Sequence, residues 1–255
     1  MKVLAIGDVI GKSGRVALSH LLPRLRQEHS IDLVVANGEN IAGGLGVTIK
    51  TLAELHAAGV DVVTSGNHIW HHREIVPFLQ DSRPLIRPLN YPPAAPGRGM
   101  HLINGLLVVN LIGRTFMAPY DCPFRAMDTL LSSLPEGTRA VLVDFHAEAT
   151  SEKVALGHYL DGRVAAVFGT HTHVGTIDSR ILPGGTAYVT DIGMVGPIDS
   201  VIGDDADMVL ARFLTMIPGR LSVGKGPVEF TGMLVTIDEA TGLSADLVRL
   251  REEIG

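Results

Sequence analysis

Five short apolar runs, each closing on residues of metal-binding type, constrain the fold of this chain more than any other feature. Residues 3–6 (VLAI) lead into Gly7-Asp8, residues 33–36 (LVVA) into Asn37-Gly38-Glu39-Asn40, and residues 60–64 (VDVVT) into Ser65-Gly66-Asn67-His68. Residues 140–144 (AVLVD) lead into Phe145-His146, and residues 164–168 (VAAVF) into Gly169-Thr170-His171-Thr172-His173. Runs this short and apolar read as strands buried on both faces, as in parallel sheets. Amphipathic stretches separate them. The first covers residues 13–29, with Ser13 as N-cap and Pro23 as a kink; others are 49–58 behind Thr48, 73–79, 124–134, 152–160 and 205–216. Such alternation predicts a layered α/β fold. Hairpins are expected at Asn104-Gly105 and Pro183-Gly184-Gly185, and residues 228–237 and 243–250 read as a closing antiparallel pair. With no repeat and no linker, one domain over residues 1–255 is expected.

Composition narrows the function. Hydrophobic residues make up 46% of the 255 and charged residues 19%, which suits a large core and excludes disorder. A net charge of −6 argues against nonspecific binding to acidic membranes or to nucleic acid backbones, so neither a membrane nor double-stranded nucleic acid is an expected partner. A single cysteine, Cys122, excludes an internal disulfide framework and fits a reducing cytoplasm. No apolar run has the length of a membrane span.

The strand ends supply Asp8, Glu39, Asn40, Asn67, His68, His146, His171 and His173. In open α/β sheets, ligands bind beyond the carboxyl ends of the strands, so these eight can share one site. Mixed carboxylate, carboxamide and imidazole donors suit manganese, iron or zinc better than magnesium. They are too many for one tetrahedral ion, whereas two ions about 3.5–4 Å apart would use them. Taken singly, each has a plainer reading: Asp8 as a turn cap, Glu39-Asn40 as turn chemistry, Asn67-His68 as a hydrogen-bonded pair. A lone histidine such as His146 is more often structural than a ligand, and Glu148 is its weaker alternative. The loop of residues 113–123 is a candidate lid, with Arg114, Thr115, Phe116 and Tyr120 at the entrance, or equally a packed surface loop. Residues 203–207 suggest helix capping rather than a calcium loop. A P-loop at residues 7–13 is the main rival, but the Walker pattern has four residues between its glycines and only Asp8, Val9 and Ile10 separate Gly7 from Gly11.

The ordered set Gly7-Asp8, a carboxylate after the second run, Gly66-Asn67-His68, a lone His146 and the pair His171/His173 resembles the calcineurin-like metallophosphoesterases. Two departures stand out. Ile10 occupies the position where that superfamily usually has a histidine, and Asn37-Gly38-Glu39-Asn40 replaces its Gly-Asp-x-x-Asp. Both departures are similar to the bacterial YmdB-like branch, as is Asp121-Cys122-Pro123-Phe124, and there the resemblance runs the whole length. It implies a four-layer α-β-β-α sandwich of the metallophosphoesterase type. It also implies one ion held by Asp8, Glu39, Asn40 and His173, and a second held by Glu39, Asn67, His146 and His171, with Glu39 bridging. Iron is the implied metal, with manganese or zinc as alternatives. The implied reaction is hydrolysis of a small phosphodiester or cyclic nucleotide such as 2′,3′-cAMP, through a metal-bridging hydroxide with His68 as proton donor. The competing class is a noncatalytic, metal-containing regulatory protein that binds a phosphorylated signal. A homo-oligomer is left open.

Overall fold

The computed structural model describes residues 1–80 and 84–254. Two six-stranded sheets carry the chain. The first contains β1 (Lys2–Val9), β2 (Leu33–Asn37), β3 (Val62–Thr64), β10 (Met194–Pro197), β11 (Val228–Ile237) and β12 (Ser244–Ile254), in the spatial order β12-β11-β10-β1-β2-β3. The second contains β4 (Met100–Ile103), β5 (Leu106–Ile112), β6 (Ala140–His146), β7 (Ala166–Thr170), β8 (Arg180–Ile181) and β9 (Ala187–Val189), in the order β4-β5-β6-β7-β9-β8. β1 pairs in parallel with β2 and β10, and β5, β6, β7 and β9 form a parallel run. Three edges are antiparallel hairpins, including the two anticipated at Asn104-Gly105 and Pro183–Gly185, and the fourth, β3, pairs in parallel with β2.

Side-chain alternation along the strands builds the layers. Leu4, Ile6, Val34 and Ala36 face an outer cluster shared with α1 (Gly11–His29) and α2 (Ile49–Ala58). Their neighbours Val3, Ala5, Leu33 and Val35 face inward and meet Leu106, Val108, Leu142 and Phe168 of the second sheet. Val109, Val143, Phe145 and Val167 point to the far side, where α3 (Pro123–Leu131) and α4 (Thr150–Leu160) cover them. Three apolar clusters between four layers give the α-β-β-α order. Strands buried on both faces must be apolar throughout, which explains the unbroken runs in the sequence.

Local signals fared unevenly. Thr48 caps α2 as expected, exchanging bonds with Thr51, and Asp205 caps α5 (Ala206–Thr215) by accepting from the Met208 N–H. Ser13, however, does not cap α1. The helix starts two residues earlier at Gly11, which has φ +56°, and the Gly11 N–H donates to the Asn40 carbonyl, tying the helix to the second strand loop. α1 continues through Pro23. Residues 73–80 form a 3₁₀ helix containing Pro77, and α3 ends at Leu131, three residues short of expectation.

Candidate metal centre

The parallel strands of both sheets release their carboxyl ends at one edge, and all eight strand-end candidates lie there. β6 extends two residues beyond the expected run and carries His146 as its final residue. β7 ends at Thr170, and the chain then bends sharply, with φ +94° at His171 and +63° at His173. Such values are rare for residues with a Cβ, so the surroundings must impose them. They do so through hydrogen bonds. The His171 N–H donates to Asp8 Oδ2 (3.0 Å), and Thr172, between the histidines, donates from its hydroxyl to Asp191 Oδ2 (2.6 Å).

One group of donors surrounds His146 Nε2. Glu39 Oε1 lies 3.0 Å from it, Asn67 Oδ1 3.1 Å and His171 Nδ1 3.0 Å. The tautomer of His146 follows from its other nitrogen. Thr170 Oγ1 donates to Asp144 Oδ1 (2.7 Å), so it can only accept from His146 Nδ1–H (2.9 Å). In its neutral form His146 would therefore turn a bare Nε2 toward two oxygens and another imidazole, although without a cation the effect of burial is outweighed by the Glu39 and Asp8 carboxylates, which favour its protonated form. Glu39 Oε1 is buried and has no hydrogen-bond partner among the described residues, although Oε2 accepts from the His68 N–H (2.9 Å). Lone pairs converging without protons between them are what a cation resolves. Donor atoms of Glu39, His146 and His171 lie within 4.8 Å of one another. Gly66 leaves the space: a Cβ there would come within 2.3 Å of His146 Nε2 and 2.5 Å of Glu39 Oε2.

A second group contains Asp8, Asn40 and His173. His173 Nδ1 donates to the Ile202 carbonyl (2.7 Å), which leaves Nε2 facing Asp8 Oδ1 at 3.5 Å and Asn40 Nδ2 at 3.3 Å. Asn40 Oδ1 meets His68 Nδ1 at 3.0 Å. His68 thus stands beside both groups, touching Glu39 and Asn40 rather than the middle of either donor set.

The electrostatics separate the two histidines of the last loop. Burial, reinforced by His146, pushes His171 down to about 3, so it is neutral and free to donate a lone pair. Burial opposes charge on His173 too, yet the Asp8 carboxylate lifts it to about 9. Asp8 itself would be raised by burial, but His173, His146 and the His171 N–H hold it well below the usual carboxylate range. Burial lowers His68, with Glu39 opposing.

Several contributors escaped the sequence reading. Asp144, fully buried and pushed up by burial to about 6, accepts from Thr64, Thr170 and Asn37 and so fixes His146. Asp191 pairs with the buried Lys153 of α4 at 2.7 Å and with Thr172. Asp191 follows the apolar run Ala187–Val189, the same strand-end pattern as the other donors, so the signal was present. Glu148 contacts His171 Nε2 at 3.0 Å rather than His146. Loop 113–123 is not the entrance. Arg114 and Thr115 donate backbone N–H groups to Glu152, Tyr120 packs on Tyr91, and the cavity over the donors is walled instead by Ile10, Leu45, His68, Glu148 and Ile202.

Comparison with known proteins finds relatives along nearly the whole chain. A family model described as YmdB-like protein matches residues 4–250. The 2′,3′-cyclic-nucleotide 2′-phosphodiesterase of Bacillus subtilis (strain 168) is 44% identical over 254 residues, spanning 98% of this chain and 96% of that protein. A hypothetical protein from Thermus thermophilus, known by crystal structure, superposes with a TM-score of 0.93 at 46% identity, covering 99% of both chains. A Mycoplasma pneumoniae protein described as a novel phosphatase gives a TM-score of 0.93 at 33% identity, covering 99% of this chain and 93% of its own.

Proposed function

The chain belongs to the YmdB-like family, with the α/β sandwich of the metallophosphoesterases, and from that premise we propose that it is a metal-dependent phosphodiesterase acting on 2′,3′-cyclic nucleotides such as 2′,3′-cAMP. One observation carries the metal part of this reading. Glu39 Oε1, buried and without a hydrogen-bond partner among the described residues, converges with Asn67 Oδ1 and His171 Nδ1 on Nε2 of His146, whose Nδ1 carries the proton given to Thr170. Glu39, Asn67, His146 and His171 would hold one ion; Asp8, Asn40 and His173 would hold the second, with Glu39 shared. The donor chemistry suits iron, manganese or zinc, and the resemblance to the YmdB-like branch implies iron among them. Such ions, when bound, acidify water and neutralise charge on the phosphoryl oxygens.

The protein's own residues do the rest. Asp144, through Thr170, holds His146 in its ligating tautomer, and the Ile202 carbonyl does the same for His173. As it stands, Asn40 turns its amide nitrogen to Asp8 and His173; reversing the carboxamide would present Oδ1 there and Nδ2 to His68. His68 Nδ1 would then accept from Asn40, leaving Nε2–H to face the cavity. We assign His68 as the proton donor to the departing ribose oxygen. Ile10, Leu45 and Ile202 form the apolar part of the wall over the donors.

The test is turnover by metal-loaded protein over 2′,3′-cyclic nucleotides, 3′,5′-cyclic nucleotides and bis(p-nitrophenyl) phosphate. Preferred hydrolysis of the 2′,3′-cyclic compounds is the expected result. No turnover at full metal content would overturn the assignment and leave the noncatalytic, signal-binding reading.

A further inference from the structure

The cavity over the donors does not end at them. Gly44, Leu45 and Asp204 also border a second cavity of about 570 Å³, where His71, His72, Arg212 and Arg220 converge. Gly43 and Arg220 open in turn onto a third, about 480 Å³, beside Lys12 and Ser13. Arg212 further borders an apolar recess of about 600 Å³ holding Met216, Leu221 and Phe213, the last 73% exposed. Lys12, Arg212 and Arg220 are exposed and, among the described residues, none is in an ion pair. In the second cavity one acid, Asp204, stands against two arginines and two histidines, in a chain whose net charge is −6. Isolated surface arginines are ordinary. A file of free cations leading away from a phosphoryl-transfer site is not.

A cyclic mononucleotide has a single phosphate, which the metal donors take. It leaves Arg212 and Arg220 without an anion and the recess at Phe213 without an occupant. Unpaired cations along a groove, with an aromatic side chain beside them, are the means by which proteins hold single-stranded nucleic acid: the cations follow the phosphates and the ring stacks on a base. We propose that the substrate is the 3′ end of a single-stranded oligoribonucleotide carrying a terminal 2′,3′-cyclic phosphate, with the upstream phosphates lying along Arg212 and Arg220 and a base against Phe213. This rests on the phosphodiesterase reading and extends it from a small molecule to an RNA end.

The experiment compares kcat/KM for 2′,3′-cAMP and for a tetraadenylate ending in a 2′,3′-cyclic phosphate. It uses metal-loaded wild type and the Arg212→Gln/Arg220→Gln double variant, in which both changes are at exposed positions outside the donor set. Wild type is expected to favour the tetranucleotide by about tenfold or more at low salt, since stacking and phosphate contacts both add. The double variant should lose that preference and keep its rate on the mononucleotide. Two phosphate contacts on a single strand give a log–log salt slope of about −1.4, so tetranucleotide affinity should fall about sevenfold between about 50 and 200 mM salt. Equal efficiency on the two substrates overturns the proposal, as does a preference indifferent to the arginines. If Phe213→Ala instead changes the oligomeric mass in light scattering and leaves both substrates unaffected, the apolar recess is an interface between copies, and the proposal fails. Should wild type hydrolyse neither substrate, the phosphodiesterase reading fails separately. Fluorescence anisotropy with a tetraadenylate bearing a 3′-phosphate then decides the groove alone: weakening by about tenfold in the double variant supports it, and unchanged binding refutes it.

Discussion

At the scale of single residues, His68 and His173 separate two kinds of site histidine. His68 touches Glu39 and Asn40 from outside the donor sets, so His68→Ala should retain its metal while losing about 10²–10⁴-fold in rate on a 2′,3′-cyclic nucleotide. On bis(p-nitrophenyl) phosphate, whose leaving group needs no proton, the loss should be far smaller. An equal loss on both would remove His68 as the donor. His173 behaves otherwise. Asp8 lifts it to about 9 in the metal-free protein, so at neutral pH a metal must displace a proton to reach Nε2. Metal affinity at that position should rise about tenfold per pH unit up to about 9, and calorimetry in buffers of different ionisation enthalpy should detect the released proton. The sign for stability is the reverse. A histidine raised from 6.5 to about 9 stabilises the metal-free fold fully below pH 6.5, and that contribution disappears as pH rises through 9. The seven proposed ligands and His68 were legible because each follows an apolar run. The tautomers were not, because Thr170 and Ile202 carry no signal of whose ring they bind.

At the scale of elements, the His171-Thr172-His173 bend depends on a buried pair that belongs to neither donor set. Lys153 on α4 and Asp191 beyond β9 are 2% and 1% exposed, and Asp191 also accepts from Thr172 and from the Gly193 N–H, while Gly193 in turn accepts from the Asp8 N–H. One carboxylate thus ties together the segments bearing Asp8, His171 and His173. Lys153→Met leaves that carboxylate buried and unpaired, which should cost about 3–5 kcal/mol in urea denaturation. Adding Asp191→Asn should recover much of the stability while leaving metal binding weakened. If the single variant is as stable as wild type, the pair is not what holds the bend. Element boundaries followed propensity where caps were polar side chains, as at Thr48 and Asp205, and departed from it at Gly11, where the cap is the Asn40 carbonyl of another strand loop. A tertiary backbone bond of that kind cannot be read from local sequence. Of the two readings of residues 113–123, the packed loop fits for a similar reason, since Glu152 on α4 accepts from its Arg114 and Thr115 N–H groups and none of its residues lines the cavity over the donors.

At the scale of the molecule, two sheets bring their carboxyl ends to one edge, and the inter-sheet core of Ala5, Val35, Leu142 and Phe168 fixes their relation. Asp8, Glu39, Asn40 and Asn67 come from the first sheet's strand ends, His146, His171 and His173 from the second's. The site therefore spans the sandwich, and cations held there would clamp one sheet to the other. A ligand at about 1,000 times its Kd stabilises the folded state by about 4 kcal/mol. Stripping metal with a chelator should accordingly lower Tm by about 8–16 °C for a chain of this size, and readdition should restore it. The layered order was legible from apolar runs too short for anything but doubly buried strands. The pairing partners were not, since β10 joins β1 from almost two hundred residues away and β11 from more than two hundred, and no periodicity records that. Elemental analysis of purified protein is the most direct measurement of the arrangement. About two metal atoms per chain are expected in wild type, about one in His173→Ala and almost none in Glu39→Gln, all three remaining folded. Metal content at trace level in wild type after incubation with iron, manganese or zinc, or the same content in all three proteins, would contradict a paired-cation centre at this sheet edge.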